Sequence, residues 1–405
     1  MRLSSSEVTQ IRRRIEIGEV TEKIAEIIRE VKNRGDEAII EYTEKIDKVK
    51  IRDVKISRET IDELSEKVRD NTRESIEKTI LRVTEFNKKA LPKNEIIILD
   101  GTIFKIRNIP IERVGIYVPR GYVSTMIMLC TIARVAGCRD IVVFTPPLDN
   151  GLISPEMALA ARILKIREVY VGNGVAGIAA MAYGTDSVRR VYKIFGPGNI
   201  YIQAAKYLVS SIVDIDGIEG PTELVLYIDE SVPETELKCA VLDAMAELEH
   251  GTHSICMVLS SSERILEIFE REYERYRAQR SLGLLYTVKV DNVDNAIKII
   301  DEVAPEHLEV LSYRDGSKIA EKVRNVGIVS LNAPCTYLDY VAGPCHVLPT
   351  SGFARSRGTM TPLDFMKRIV ICEGYDREIL KHGETIAELE GMYLHKESLR
   401  CREHE

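Results

Sequence analysis

From residue 114 onward, short apolar runs alternate with helical stretches, and few folds accommodate that alternation. Val114–Val118 and Ile141–Pro147 read as strands, with the Met-, Leu- and Ala-rich segment Thr125–Gly137 as a buried helix between them. A helix over Pro155–Lys165 precedes a strand at Glu168–Val171, and another strand is expected at Val191–Phe195. Strands joined through helices must run parallel, so these are βαβ units with both sheet faces covered. A second set follows at Glu223–Ile228, Ser254–Leu259, His307–Leu311 and Gly327–Leu331, again with helical stretches between. Upstream, residues 5–93 carry apolar residues at helical spacing among many charges, up to Pro92, and Ile96–Leu99 reads as a strand closed by Asp100-Gly101. The expected class is α/β: two Rossmann-like parallel-sheet units, a helical N-terminal region, and a helical C-terminal tail after about residue 360.

At 405 residues the chain has room for two or three domains. A formal net charge of -7, with both signs interspersed, argues against a nucleic-acid binder. The eight cysteines form no C-x-x-C pair, which disfavours a thiolate zinc site and fits reduced thiols in a cytoplasmic protein. The first residues lack the apolar core of a signal peptide, and no apolar run is long enough to span a bilayer. Neither a membrane nor a nucleic acid is therefore expected as a partner.

With only seven histidines in the chain, their company is informative. Glu306-His307 puts a carboxylate beside an imidazole at the start of an expected strand, which suits proton transfer near neutral pH. Alone, the pair reads equally well as two solvated loop residues. Glu247 and His250 are three apart, on one face of a helix, a spacing found in metal sites. The competing reading is an exposed helix end capped by Gly251, with His253 a bystander. Asp339 and His346 lie in a Gly/Pro-punctuated loop, as a hard oxygen ligand and a substrate contact or as ordinary turn residues. Glu390 and His395 read most simply as surface residues. Gly172-Asn173-Gly174-Val175-Ala176-Gly177 matches the dinucleotide fingerprint between a strand and a helix. The next strand, however, supplies no acidic residue for a ribose. Gly196 and Gly198 would let a ligand approach the backbone closely.

In their order, these segments resemble the histidinol dehydrogenase family over nearly the whole chain from about residue 20. The likeness is carried by Val114–Pro119, Tyr183-Gly184-Thr185, Lys193–Asn199, Gly220–Glu223, Glu249-His250-Gly251, Pro305–Leu308, His346–Thr350, Asp364-Phe365 with Lys367-Arg368, and His395-Lys396. The resemblance implies oxidation of L-histidinol to L-histidine through the aldehyde, with NAD as oxidant and one zinc ion per subunit, at the end of histidine biosynthesis. Glu306 and His307 fall on the family's acid/base residues, and Glu247, His250, Asp339 and His395 on its zinc ligands, which also meet the substrate. His307, Thr222, His346 and Glu390 fall on substrate-contacting positions, and Tyr117, Ala176 and Asn199 on NAD-contacting ones. The resemblance further implies a homodimer with shared active sites. Its division would be an arm over 1–19, one α/β domain from 20–113 with 222–358, a cofactor domain over 114–221, and a dimer-contacting tail over 359–405. Departures from the family pattern cluster near the pocket: Glu247 and Ala176 each replace a usual Gln, Glu219 a usual Ala, Cys345 a usual Asn, and Arg120 a glycine of a Pro-Gly-Gly turn. A same-fold dehydrogenase of another small polar alcohol, such as a sulfonated diol that Arg120 would meet, and a non-catalytic metal-binding paralogue are the alternatives.

Overall fold

The computed structural model describes residues 1–4, 7–8 and 18–402. Most of the expected 1–19 arm and the last three residues of the tail therefore lie outside the described residues. Contacts divide the chain into two compact units, Met1–Leu91 with Ile111–Phe365, and Pro92–Pro110 with Met366–Glu405.

The larger unit holds two parallel sheets. One has five strands, ordered Glu168–Val171, Asp140–Thr145, Arg113–Tyr117, Lys193–Phe195 and Asp214–Ile215. The other has six, ordered Arg2–Leu3, Leu284–Lys289, Ile255–Ser260, Glu223–Ile228, His307–Leu311 and Ile328–Leu331. Every neighbouring pair in both sheets is parallel. The strands are near-continuous runs of Val, Ile and Leu because helices cover both faces, so there is no polar side to alternate toward. The expected strands at 114–118, 141–147, 168–171, 223–228, 254–259, 307–311 and 327–331 all form, shifted by a residue or two at their ends. Leu284–Lys289 was not anticipated, because its Thr287 and Lys289 interrupt the apolar run.

The N-terminal helices Gly18–Arg34 and Asp36–Tyr42 bury Ile24, Ile27, Ile28, Val31 and Ile39 in one cluster with Val142, Phe144, Ile178 and Ile202. That cluster belongs to the five-stranded sheet. Helices Arg58–Ser65 and Asp70–Lys89 pack on Pro155–Ile163 and Val123–Ala136, also around that sheet. The helix Asp70–Lys89 also reaches the 222–358 region, where Arg82 donates to the Ala342 carbonyl at 3.2 Å and Asn87 to the Gly343 carbonyl at 3.1 Å.

The smaller unit is a three-stranded antiparallel sheet, ordered Met366–Glu373, Thr102–Pro110 and Glu95–Leu99, with helices Arg377–Leu389 and Tyr393–Arg400 packed on each other. The tail is consequently not wholly helical after residue 360. Ile369, Val370 and Ile371 are β-branched and pair with Arg107, Ile106 and Lys105. The two strands on the other side are joined at Asp100-Gly101, both with positive φ, the dipeptide a tight hairpin selects.

Candidate active site

Glu306 and His307 stand where the strand His307–Leu311 begins, between Glu223–Ile228 and Ile328–Leu331. The preceding helix Val293–Val303 stops at Ala304, held in the left-handed region at φ 52, and Pro305 cannot continue it. Backbone bonds from Gly327 to the Pro305 carbonyl and from Ile328 to the Glu306 carbonyl, both 3.0 Å, then fix the pair. Gly327 is required there, since a Cβ would lie 2.5 Å from the Glu306 carbonyl oxygen. One carboxylate oxygen of Glu306 accepts from the Glu223 backbone N–H at 3.3 Å.

Both side chains are buried. His307 Nε2 lies 3.4 Å from Asp339 Oδ1 and 4.0 Å from Glu306 Oε1. Burial, assisted by His346 and His250, pushes the His307 imidazole down to about 3, so it is neutral at neutral pH and has a lone pair to offer. Burial and the surrounding Glu247, Glu223 and Asp339 carboxyls push Glu306 well above the usual carboxylate range. Burial first, and then Asp339, does the same to Glu247, while burial lifts Asp339 to about 6.

Glu247, His307 and Asp339 each offer a ligand atom, all within 4.8 Å of one another. Glu247 Oε1 and His307 Nδ1 are buried with no hydrogen-bond partner. Carboxylates crowded in a low-dielectric pocket with unsatisfied ligand atoms are the environment that a divalent cation relieves. The helix bearing Glu247 ends at Leu248, so His250 follows it in a turn instead of sharing its face; it lines the same cavity and is held below its ordinary pKa by burial. Asp339 belongs to a short helix, Cys335–Tyr340, rather than to a loop. His346 Nδ1 meets the Asp339 carbonyl, and its Nε2 is 3.5 Å from Thr125 Oγ1.

A second carboxyl stands behind the first. Glu309, two residues along the strand and so on the same face as His307, is fully buried. It accepts the Cys335 backbone N–H at 2.9 Å at the start of the helix carrying Asp339. Burial, then the Asp243 carboxyl, pushes it up to about 8.

These groups open into a cavity of about 880 Å³, also lined by Tyr117, Asn199, Thr222, His253 and His346. The cavity meets the two sheets at opposite ends. Thr222, Ser254 and Glu306-His307 come from where strands of the six-stranded sheet begin; Tyr117 and Pro146 come from where strands of the five-stranded sheet finish. Ala176 does not reach it: the helix Gly174–Tyr183 is buried throughout most of its length, and a Cβ on Gly177 would fall inside the Phe144 ring. Arg120 lines the cavity but pairs with Asp149, so its guanidinium is already engaged. Glu390 and His395 lie in the smaller unit and are exposed.

The sequence and the fold match those of known proteins. The histidinol dehydrogenase family model matches residues 10–403. The chain belongs to the histidinol dehydrogenase family. The histidinol dehydrogenase of Saccharolobus solfataricus is 39% identical over 385 residues, covering 94% of each chain. That of Methanopyrus kandleri is 37% identical over 429 residues, covering 99% of each. The crystal structure of histidinol dehydrogenase from Elizabethkingia anophelis superposes with a TM-score of 0.92 at 28% identity, over 99% of this chain and 97% of that one. Family membership makes the chain a dehydrogenase. The geometry alone adds two residues, Glu309 behind the pair and Asp47 at the cavity. Glu309 was legible as the second residue on the His307 face of a period-two strand. Asp47, which lines the cavity from the N-terminal region, followed no motif.

Proposed function

We propose that this protein oxidises L-histidinol to L-histidine through the aldehyde, using two molecules of NAD and one divalent cation, zinc by its ligand set. The observation that carries the reading is a buried, neutral His307 beside Glu306 in a cavity that also holds Glu247, His250 and Asp339. His307 takes the hydroxyl proton as hydride leaves the adjoining carbon, giving the aldehyde. Glu306 then takes a proton from the water that adds to the aldehyde. The hydrate anion that results loses a second hydride to give the acid, which releases its remaining proton and becomes the carboxylate. NAD would supply the hydride acceptor in each half, and Tyr117 and Asn199 would hold it. Glu247, His250, Asp339 and His395 would hold the zinc, whose charge would orient the substrate's imidazole and amine and offset the crowding of carboxylates that holds Glu306 high. Thr222, His346 and Glu390 complete the substrate pocket.

We infer a homodimer in which the tail of one subunit serves the site of its partner. Its support is the tail itself: Leu389 and Leu394 are 79% and 78% exposed, near Ile386, Met392 and Tyr393, an apolar face that calls for a cover. The free thiols accord with a cytoplasmic setting.

The test is NADH formation on adding L-histidinol, at two NADH per substrate, together with zinc content. Chelation should abolish turnover, and restoring one zinc per subunit should return it. Zinc-loaded protein that leaves L-histidinol unoxidised refutes the reading, and oxidation of a sulfonated diol instead would select the other alcohol.

A further inference from the structure

The glycine-rich turn at 172–177 has the spacing of a dinucleotide fingerprint, yet it does not present a phosphate site. Asn173 caps its own helix: its Oδ1 accepts from the Val175 and Ala176 backbone N–H groups at 3.1 and 3.3 Å. That occupies the donors a pyrophosphate would use. The Asn173 backbone N–H is likewise taken by Thr43 Oγ1 at 2.8 Å. What remains of Asn173 is its side-chain N–H, and this donates to Asp47 Oδ2 at 2.9 Å.

Asp47 arrives from outside the motif. It ends the wide turn Thr43–Asp47, just before Lys48 reverses the chain at φ 60. Its carboxylate is half-buried and lines the cavity with Tyr117 and Pro146, at the finishing ends of strands in the five-stranded sheet. There the dinucleotide-binding folds place an acidic residue that takes the adenosine ribose hydroxyls. The strand Lys193–Phe195, which would carry that residue by the usual spacing, has none. The carboxylate is held through Oδ2 by an amide rather than by a cation, which leaves Oδ1 and the other lone pairs to accept. Tyr117 is close enough for its phenol to be pushed up by the Asp47 charge, after burial. Arg120 is the cation that faces Asp47, and it is paired with Asp149.

We propose that Asp47 accepts the vicinal hydroxyls of the cofactor's adenosine ribose and thereby selects NAD over NADP. A carboxylate accepting two hydroxyls gains charge-assisted hydrogen bonds, whereas a 2′-phosphate brings like charge against it. The inference rests on the reading that NAD occupies this cavity.

Binding is measured by calorimetry on the full-length protein, with NAD, NADP and 2′-deoxy-NAD as probes. Wild-type protein should bind 2′-deoxy-NAD and NADP each about tenfold or more weakly than NAD, the scale of one lost charge-assisted contact. In Asp47→Asn, which keeps the shape and an acceptor for Asn173, the preference for NAD over NADP should shrink at least tenfold. Equal wild-type affinity for NAD and 2′-deoxy-NAD overturns the assignment without any variant. So does an Asp47→Asn protein with the wild-type preference. Wild-type protein that binds no NAD overturns the reading beneath the inference, and the inference with it; histidinol-dependent NADH formation alongside an unchanged preference overturns the inference alone.

Discussion

Replacing Gly327 with alanine should loosen the acid/base pair from behind while leaving both of its side chains unaltered. The added Cβ would lie 2.5 Å from the Glu306 carbonyl oxygen, and that atom is backbone, already bonded to the Ile328 N–H at 3.0 Å. Ordinary carbon–oxygen contacts begin roughly 0.5–0.7 Å farther out, and no rotamer change relieves a backbone clash. Glu306 and His307 must therefore move by about half an ångström relative to Asp339. A misplacement of about 1 Å costs roughly a hundredfold in rate, so half of that should lower kcat about tenfold, with about 1–3 kcal/mol lost to overpacking. The matched control is Gly358→Ala, whose nearest neighbour would be the Gly327 carbonyl oxygen at an ordinary 3.7 Å. Steady-state kinetics and urea unfolding of both variants form the assay. Gly327→Ala with wild-type kcat and an unchanged unfolding midpoint would refute the argument that this contact positions the pair.

Three further outcomes are expected. His307→Asn should lower kcat by about 10²–10⁴-fold at saturating substrate, and Glu306→Gln should release aldehyde with one NADH per histidinol instead of two, both read by stopped-flow and product analysis. Glu309→Gln should stabilise the protein increasingly as pH rises. The folded chain keeps this proton up to about pH 8 while the unfolded chain loses it near the ordinary 4.5, so wild-type stability falls across that window and the variant escapes the loss; parallel melting curves at pH 5 and pH 8 would contradict this. Leu389→Glu combined with Leu394→Glu should yield monomers by sedimentation and lose turnover, while mixing with His307→Asn protein should restore part of it if tails are shared.

The parallel sheets were legible because buried strands announce themselves as unbroken apolar runs. Leu284–Lys289 was not, since Thr287 and Lys289 dilute its pattern, and Met366–Glu373 was lost in a tail whose charges suggested helix. The Asp100-Gly101 turn carried a hairpin signal, yet its second strand, Thr102–Pro110, alternates Lys, Arg and Asn with Ile and was overlooked. At the site, Glu306, His307, Glu247, His250, Asp339 and His346 converge on one cavity although they come from three separate stretches of chain, 247–250, 306–307 and 339–346. No periodicity encodes that convergence; sheet topology does. His250 falls two residues past the end of its helix, and Ala176, which the family resemblance places at the cofactor, lies on a buried helix whose Gly177 packs against Phe144.

The opposed ends at which the two sheets meet the cavity give it a built-in electric polarity. On the five-stranded side, Val123–Ala136 and Ile200–Val209 begin at the cavity, each turning the positive end of its dipole toward it. On the six-stranded side, Glu234–Leu248 and Cys335–Tyr340 finish there, presenting negative ends beside Glu247 and Asp339. Before any ligand arrives, one wall favours anions and the other cations. A pyrophosphate group and a small dication entering the same opening would thus be drawn to opposite walls. Exchanging the two is disfavoured by the backbone itself, and no surface charge mutation would undo it.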